Sequence, residues 1–186
     1  MPARIRNRRR PQLIALLLLA ALLIGGWYLE ERFLAPPGWQ RPLGQITSGD
    51  YVVQRVVDGD TIVLEKDRLR VRLQGVDTPE MVQENGATQS WGPEATEYTL
   101  QFLKKANWRV RLVIDGETVD RYGRQLAFVW HEGRLLNEEL LQQGLAHAKT
   151  GFDFSRAMKD RLLQAQSEAQ ESLRGIWSPS QIQADQ

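Results

Sequence analysis

The sequence predicts an α+β domain that follows one apolar N-terminal helix. Five short runs carry the β-branched residues, or the alternation of apolar and polar residues, that are typical of strands. Three segments have apolar residues at helical spacing instead. The predicted strands are 51–57, 61–64, 69–76, 108–114 and 126–130, and the predicted helices are 95–105, 135–143 and 154–173. Because the helices are inserted between the strands and appended after them, the order of elements favours one mixed domain.

The N-terminal segment has the charge pattern of an exported protein. Residues 1–10 form a tip with five arginines and no acid, and residues 11–29 carry no charge, with a dense apolar centre at 13–24. Such a segment is either a cleavable signal peptide or an uncleaved signal anchor. Nineteen helical residues span about 28 Å, close to the ~30 Å of a bilayer core. No small-x-small cleavage site follows the apolar centre, so we expect a transmembrane anchor.

A single-pass topology follows from this interpretation. Arginine-rich flanks stay in the cytoplasm, which places the rest of the chain on the periplasmic or extracellular side and makes the lipid bilayer a partner. Residues 30–49 contain Pro and Gly without a sustained period and are expected to be a linker. Residues 50–178 form the predicted domain, and 179–186 form a polar tail. The chain has no cysteine, so an exported domain depends on packing without disulfides. No obligate protein partner is indicated.

The net charge is informative only when the tip is separated from the rest. The whole chain has 24 Lys and Arg against 23 Asp and Glu, and without the five tip arginines 19 remain against 23, a formal −4. This argues against a generally basic surface that binds nucleic acid, so positive charge for such a partner must be concentrated locally. Arg68, Arg70 and Arg72 recur at every second position, from the residue before the predicted strand 69–76 into that strand. For Arg68 and Arg70 the pattern favours an ordinary solvated strand face.

Acidic residues lie where two of the predicted strands begin or end. Asp58 and Gly59 form a typical turn pair, after which Asp60 begins a strand, and Asp77 ends the next one, with Glu80 three residues further. These carboxylates are placed to converge on one hard cation, since Ca²⁺ prefers several oxygen ligands. The alternative is three solvated turn acids.

Arginines near these acids favour the first alternative. Arg72 lies five residues before Asp77 on the same predicted strand, and the sequence Asp-Arg-Tyr-Gly-Arg follows at 120–124. Carboxylates beside arginines are the ingredients of metal-assisted phosphodiester hydrolysis, in which charge on a phosphoryl group must be stabilised. The alternative for Arg124 is a salt bridge within the domain.

Several separated motifs resemble the staphylococcal nuclease (thermonuclease) family. They occur in the family's order and at compatible spacing, and the resemblance covers roughly residues 50–178. The matching stretches are 56–61 (Val-Val-Asp-Gly-Asp-Thr), 72–80 (Arg-Leu-Gln-Gly-Val-Asp-Thr-Pro-Glu), 91–95 (Trp-Gly-Pro-Glu-Ala), 120–124, Asn137 with Glu138, 143–146 (Gln-Gly-Leu-Ala) and 175–177 (Gly-Ile-Trp). Such an ordered set is far more specific than a single motif.

The resemblance implies a fold and a metal site. The fold is a five-stranded OB-type β-barrel with three helices. It implies that Asp60 and Asp77 bind one Ca²⁺ through their carboxylates and that the Thr78 backbone carbonyl also coordinates it. His131 and His147 have no second histidine or cysteine at ligand spacing, so we interpret both as structural or surface residues.

The resemblance also implies catalytic and substrate-binding roles. Glu80 would orient or deprotonate the attacking water, and Arg72 and Arg124 would each offer a planar set of donors to phosphate oxygens. Three further residues match positions that bind nucleotide: Arg121 and Tyr122 at a terminal phosphate, and Phe152 where the family's type member stacks a tyrosine. Phe152 lacks the tyrosine hydroxyl, and residues 81–89 lack the lysines of the type member's loop. Both departures affect affinity and the preference between DNA and RNA.

The resemblance therefore implies a Ca²⁺-dependent endonuclease that hydrolyses DNA and RNA and leaves 3′-phosphate ends. Two alternatives belong to other functional classes. One is a non-catalytic module that binds nucleic acid or protein, which would not need the acids and arginines. The other is a Ca²⁺-stabilised structural domain on a membrane stalk, which would need the acids but not Arg72 and Arg124.

Overall fold

Five strands close into a barrel in the part of the chain that the computed structural model describes, residues 45–80 and 91–179. The barrel strands are β1 (Gly49–Asp58), β2 (Thr61–Leu64), β3 (Arg70–Leu73), β5 (Arg109–Val113) and β6 (Gln125–His131). Their order is β3-β2-β1-β5-β6 with antiparallel neighbours, and a parallel pairing of β3 with β6 closes the ring. This closed arrangement confirms the predicted OB-type barrel.

Three short strands complete the sheets. β7 (Arg134–Leu135) pairs with the end of β6, and β4 (Val76–Asp77) pairs with β8 (His147–Ala148) in a separate two-stranded sheet. The predicted strand 69–76 is therefore divided into β3 and β4. The division has a backbone cause, because Gly75 has φ +78°, a value outside the extended region that glycine adopts without a steric penalty. The alternating sequence continues across this turn and conceals it.

Three helices pack against the barrel, as predicted. They are α1 (Gly92–Lys105), α2 (Leu136–Gln142) and α3 (Arg156–Glu171), with two short 3-10 turns at Lys66–Arg68 and Gly175–Trp177. Phe102 and Leu103 of α1 are buried, as is Leu162 of α3, and all three belong to the hydrophobic core. Each such side chain contributes about 1.5–3 kcal/mol through removal from water.

A buried amide connects α2 to the barrel. Asn137 is fully buried, its Nδ2 donates to the carbonyl of Gln74 at 2.8 Å, and its Oδ1 accepts the N–H of Val129 at 2.9 Å. Because both the donor and the acceptor of the amide have partners, these hydrogen bonds compensate for the cost of removing the amide from water. The contact fixes the segment between β3 and β4, which leads to the acidic residues described below.

The predicted anchor at 11–29 lies outside the described residues. Within 45–80 and 91–179, no helix has both the length and the apolar character needed to cross a bilayer. The predicted anchor therefore stays a prediction.

Candidate active site

A tight turn between β1 and β2 presents Asp60. The N–H of Asp60 donates to Oδ1 of Asp58 at 3.1 Å, a side-chain bond that stabilises the turn. Gly59 lies against α1: a Cβ added there would approach the Cβ of Ala95 to 2.7 Å, and the Thr99 hydroxyl donates to the Gly59 carbonyl at 2.6 Å. Only glycine allows this close approach of turn and helix, which fixes the entry to β2.

The carboxylate of Asp60 is almost completely buried, with 1% of the residue exposed. Its Oδ2 accepts the backbone N–H of Thr78 at 2.9 Å, and its Oδ1 accepts the hydroxyl of Thr61 at 3.1 Å and a hydrogen bond from Nη1 of Arg72. Burial raises the pKa of the Asp60 carboxyl, and the Arg72 guanidinium opposes that rise. The site therefore gives this acid a strong requirement for a nearby positive charge.

Arg72 connects the two acids that the sequence predicts to converge. Its Nη2 donates to Oδ1 of Asp77 at 2.5 Å and to the carbonyl of Val76 at 3.3 Å, while Nη1 bonds Asp60. Burial lowers the pKa of Arg72, but the carboxylates of Asp60 and Asp77 outweigh this effect, and the pKa lies above its usual value. The guanidinium is thus held charged between the carboxylate of the β1–β2 turn and the carboxylate of β4.

Asp77 is the more accessible acid of the pair. Its side chain is 39% exposed, and its Oδ2 lies 3.2 Å from Nζ of Lys149. The pairing of β4 with β8 places His147 opposite Asp77, and Lys149 follows two residues later with its N–H on the carbonyl of Gly75 at 2.8 Å. The sequence does not predict Lys149 as a partner of Asp77. Two-residue strands leave no periodic signal from which this pairing could have been found.

Oxygen ligands suited to a hard cation meet at this point. In the described ranges no group of three or more His, Cys, Asp and Glu side chains is arranged to hold a metal ion. The predicted site needs only two carboxylates, from Asp60 and Asp77, with the backbone carbonyl of Thr78 and solvent as further ligands. A buried carboxylate whose charged form is disfavoured by burial fits the requirement for a cation, so the donor set suits Ca²⁺.

Asp120 fixes both the backbone of the turn at 120–124 and the side chain of Arg124. Asp120 accepts the backbone N–H groups of Tyr122 and Arg124 through Oδ1, at 2.9 and 3.0 Å, and its Oδ2 accepts Nε of Arg124 at 2.7 Å. The alternative role of Arg124, a salt bridge within the domain, is therefore observed. Its two Nη groups have no hydrogen-bond partner among the residues that the structure describes, so they are available to a phosphate.

Strand register relates Arg124 to the acidic cluster. In the parallel pairing of β3 with β6, Arg72 lies opposite Leu126, two residues after Arg124. Arg72 thus lies in β3, and Arg124 lies immediately before β6, the strand that pairs with β3. Glu80, three residues beyond Asp77, has an exposed side chain and is the last residue described before the gap at 81–90.

The residues predicted to bind nucleotide occupy two places. Arg121 and Tyr122 contact each other: Nη2 of Arg121 bonds the Tyr122 hydroxyl at 2.6 Å, and the Arg121 and Arg124 guanidiniums lie 4.7 and 5.4 Å from the centre of the ring. Tyr122 is 50% exposed. Phe152 is half-buried and packs against the hydrophobic core, which leaves part of its ring accessible.

Comparison with known proteins is consistent with this geometry. The family model described as "Staphylococcal nuclease homologue" matches residues 70–179, more than half of the chain. The chain belongs to the staphylococcal nuclease family. The thermonuclease of Staphylococcus hyicus is 38% identical over 167 residues, 88% of this chain and 95% of that protein. The thermonuclease of Staphylococcus intermedius is 47% identical over 131 residues, 68% of this chain and 75% of that protein. Endonuclease YncB of Bacillus subtilis (strain 168) is 32% identical over 133 residues, 69% of this chain and 61% of that protein.

The staphylococcal nuclease family match begins at the first residue of β3 and thus includes Arg72, Asp77 and Arg124. Asp60 precedes the match but is joined to it by the barrel, because the Leu73 N–H donates to the Asp60 carbonyl at 2.8 Å. The cluster is therefore built from both sides of the β2–β3 hairpin.

Proposed function

We propose that this member of the family is a Ca²⁺-dependent nuclease that hydrolyses phosphodiester bonds of DNA and RNA and leaves 3′-phosphate ends. The observation that carries the proposal is the contact of Arg72 with both Asp60 and Asp77 at the edge of the barrel. The names of the relatives, two thermonucleases and an endonuclease, support it.

Asp60, Asp77 and the Thr78 carbonyl would hold the Ca²⁺ ion. When bound, the ion would polarise the phosphodiester and offset its negative charge. The protein's own contribution is to keep the Asp60 carboxylate ionised in a buried place. Arg72 and the Thr78 N–H supply the hydrogen bonds that make this possible.

Arg72 retains donors for a phosphate while it holds the acids. A guanidinium has five N–H donors, and three of them are directed at Asp60, Asp77 and the Val76 carbonyl. Nε–H and one Nη1–H remain. Arg124 uses Nε for Asp120 and keeps its four Nη donors. Together these groups can stabilise the additional charge of a pentacoordinate phosphoryl group, for which planar donor sets are better suited than a point charge.

Glu80 is proposed to orient the attacking water. Its exposed carboxylate follows Asp77 by three residues, and an ionised carboxylate accepts hydrogen bonds without donating any. A water that donates one hydrogen to this carboxylate keeps its lone pairs for attack on the phosphorus. The carboxylate also receives the proton as the oxygen attacks, which is general base catalysis.

We place the nuclease outside the cytoplasm, with residues 11–29 as its membrane anchor. The chain carries a basic tip before an uncharged apolar segment, which favours a cytoplasmic N-terminus. A site with few protein ligands needs the higher Ca²⁺ concentration that exists outside a cell.

A plasmid assay with the full chain tests the proposal. With Ca²⁺ the plasmid should be degraded, and with chelator it should stay intact. The fragment ends should resist extension by a polymerase until a phosphatase has removed their 3′-phosphates. Intact plasmid under both conditions, from a protein shown to be folded, would favour the non-catalytic module. Degradation that continues with chelator would remove Ca²⁺ from the mechanism.

A further inference from the structure

Three arginines surround a shallow surface cavity on the outside of the barrel. The cavity has a volume of about 590 Å³ and is lined by Gln54, Arg55, Val63, Arg68 and Arg70. All three arginines are exposed. In the described part of the chain, none of them forms an ion pair or a hydrogen bond with an acidic side chain. We refer to Arg55, Arg68 and Arg70 as the arginine triad.

Backbone irregularities bring the arginine triad together. Val53 pairs with Leu64 but Arg55 pairs with Val63, so β1 contains one extra residue, Gln54, in a β-bulge. Bulges change the direction of side chains on the bulged strand. Val63 in turn pairs with Arg70, which places Arg55, Val63 and Arg70 in one row across three strands.

Arg68 reaches the same cavity through an unusual backbone conformation. Asp67 and Arg68 have φ values of +53° and +51°, which are uncommon for residues other than glycine and cost free energy. The 3-10 turn that contains them leads directly into β3. A strained turn that adds a third arginine to the row is more than an ordinary solvated strand face, which the sequence alone favours.

Several other exposed arginines of the domain are paired with acids. Arg134 lies 2.6 Å from Glu139, Arg161 lies 2.6 Å from Glu138, and Arg111 lies 2.9 Å from Asp50. The chain after its basic tip has a formal charge of −4. Three arginines without acidic partners around one cavity therefore concentrate positive charge locally, and their field attracts an anionic partner.

The arginine triad continues the candidate active site along β3. Arg70 and Arg72 are two residues apart on one strand and therefore face the same side, about 7 Å apart. In the parallel pairing of β3 with β6, Val71 lies opposite Gln125. Arg70 and Arg124 each come one residue before this pair, so they lie at the same level of the two chain segments. A linear ligand with an anion at regular intervals can therefore contact Arg72 or Arg124 and the triad at once.

We propose that the arginine triad binds the phosphodiester backbone of the substrate strand beyond the phosphate that is cleaved. This inference rests on the proposed nuclease function. The lining of the cavity has no aromatic side chain, so it lacks the platforms on which bases stack. Guanidiniums bind phosphate oxygens through two parallel hydrogen bonds, and such contacts do not depend on sequence. The triad thus extends the site for longer substrates without making it base-specific.

Substrate length separates this role from the chemistry. We compare a dinucleotide with a single strand of about 20 nucleotides, longer than the ~4–16 nucleotides that OB folds cover. The full chain in neutral detergent is tested as wild type and with R55Q, R68Q and R70Q combined. For wild type, kcat/KM should be higher for the long strand than for the dinucleotide. In the combined variant the ratio of these two kcat/KM values should be smaller by about tenfold or more. The slope of log KM against log salt for the long strand should decrease by about 2, since each phosphate contact contributes ~0.7 for single strands.

A matched variant controls for net charge. K104Q, K105Q and R156Q combined also remove three exposed cations, but from the C-terminal end of α1 and the N-terminal end of α3. It should keep the wild-type length dependence. Equal losses in both variants would overturn the triad and indicate a general charge effect. R55K, R68K and R70K combined should recover part of the loss, because charge is kept and the planar donor set is not.

Two further measurements keep the inferences separate. Binding of the long strand, followed by fluorescence anisotropy in chelator, reports on the triad even if no hydrolysis occurs. If the wild type does not hydrolyse the strand but binds it in a way that depends on the triad, the proposed nuclease function is wrong and the proposed role of the triad in binding is supported. If wild type and triad variant bind the strand equally, the triad is overturned. Effects that appear only when phosphatidylglycerol is added to the detergent would also overturn it and identify an anionic lipid surface as the ligand.

Discussion

Arg72 donates a hydrogen bond from Nη1 to the carboxylate of Asp60, and both residues are buried, with 9% and 1% exposed. The same guanidinium reaches Asp77 through Nη2. One cation therefore holds together two acids that would otherwise repel each other. This gives Arg72 a structural role in addition to its proposed contact with phosphate.

Arg72→Lys should reduce both activity and stability. A lysine keeps the charge but lacks the planar set of guanidinium donors that reaches Asp60 and Asp77 together. We expect kcat to fall about 10²–10³-fold, as for loss of a charge-stabilising donor. The free energy of unfolding should fall by about 1–3 kcal/mol, because a buried acceptor loses its partner. Plasmid cleavage rates and urea unfolding measure the two effects.

Arg111→Lys is the matched control for that experiment. Arg111 pairs with Asp50 on the surface, with both side chains largely exposed, and exposed pairs contribute little. Wild-type stability and activity are expected. Equal effects of the two substitutions would show that the position of Arg72 between the acids has no special importance.

Glu80→Gln should lower kcat by about 10²-fold or more with little change in fold or substrate binding. The amide keeps the size of the side chain but no longer accepts a proton. Glu94→Gln, at an exposed acid in the first turn of α1, serves as the control. Near-normal turnover of a folded Glu80→Gln protein would remove Glu80 from the mechanism.

The sequence predicts the five strands well because they carry β-branched or alternating residues and end at turn residues, whereas their closure into an OB-type barrel is predicted only by the family resemblance. It also predicts that Asp60 and Asp77 approach each other, since both lie at strand ends beside Arg72. The partners of the site are less predictable. Lys149 reaches Asp77 only through the short β4–β8 pairing. Nothing in the spacing of the triad discloses that a bulge at Gln54 brings Arg55 into the row.

The pH dependence of stability should report on a polar cluster between α1 and α2. The Tyr98 hydroxyl donates to Glu139 at 2.9 Å, and Arg134 binds the same carboxylate. Burial, followed by the hydrogen bond to Glu139, raises the pKa of Tyr98 to about 12, above its unfolded value of about 10. The neutral tyrosine is thus favoured in the folded state.

The stabilisation that belongs to Tyr98 is fully present below about pH 10 and is lost as the pH rises from about 10 to about 12. Tyr98→Phe cannot titrate, so its free energy of unfolding should fall less steeply over this interval. Urea unfolding of wild type and Tyr98→Phe at several pH values measures the difference in their free energies of unfolding. The contributions of the other titrating groups are common to both proteins and cancel. Parallel curves would show that the Tyr98 pKa is not raised.

The N-terminal segment should keep the protein in the membrane. If 11–29 is an uncleaved anchor, the mature protein should have the mass of all 186 residues. It should also stay with membranes after a high-salt wash, because burial of an apolar helix is insensitive to salt. Mass spectrometry of the membrane fraction decides the point. Soluble protein that begins near Trp27 or later would indicate a cleaved signal peptide.

The last prediction connects this location to the metal. A site formed by Asp60, Asp77, one carbonyl and solvent has few protein ligands, so Ca²⁺ should bind weakly, with Kd of about 10⁻⁴–10⁻³ M. The cytoplasm keeps free Ca²⁺ far below that range. Mg²⁺ should activate poorly, since it requires near-ideal octahedral geometry and dehydrates reluctantly. Export would then bring the enzyme to the compartment where its site fills, away from the chromosome of its own cell.

Titration of the full chain against free Ca²⁺ and Mg²⁺ tests this connection by two readouts. Activity should reach half its maximum in the predicted range of Ca²⁺. Independently of activity, Ca²⁺ at about 100 times Kd should raise the free energy of unfolding by about 2.7 kcal/mol. Asp77→Asn should weaken both responses, because the site loses one of its two carboxylates. Half-activation at micromolar Ca²⁺, or equal rates with Mg²⁺, would separate export from activity, since a site that fills in the cytoplasm gains nothing from leaving it.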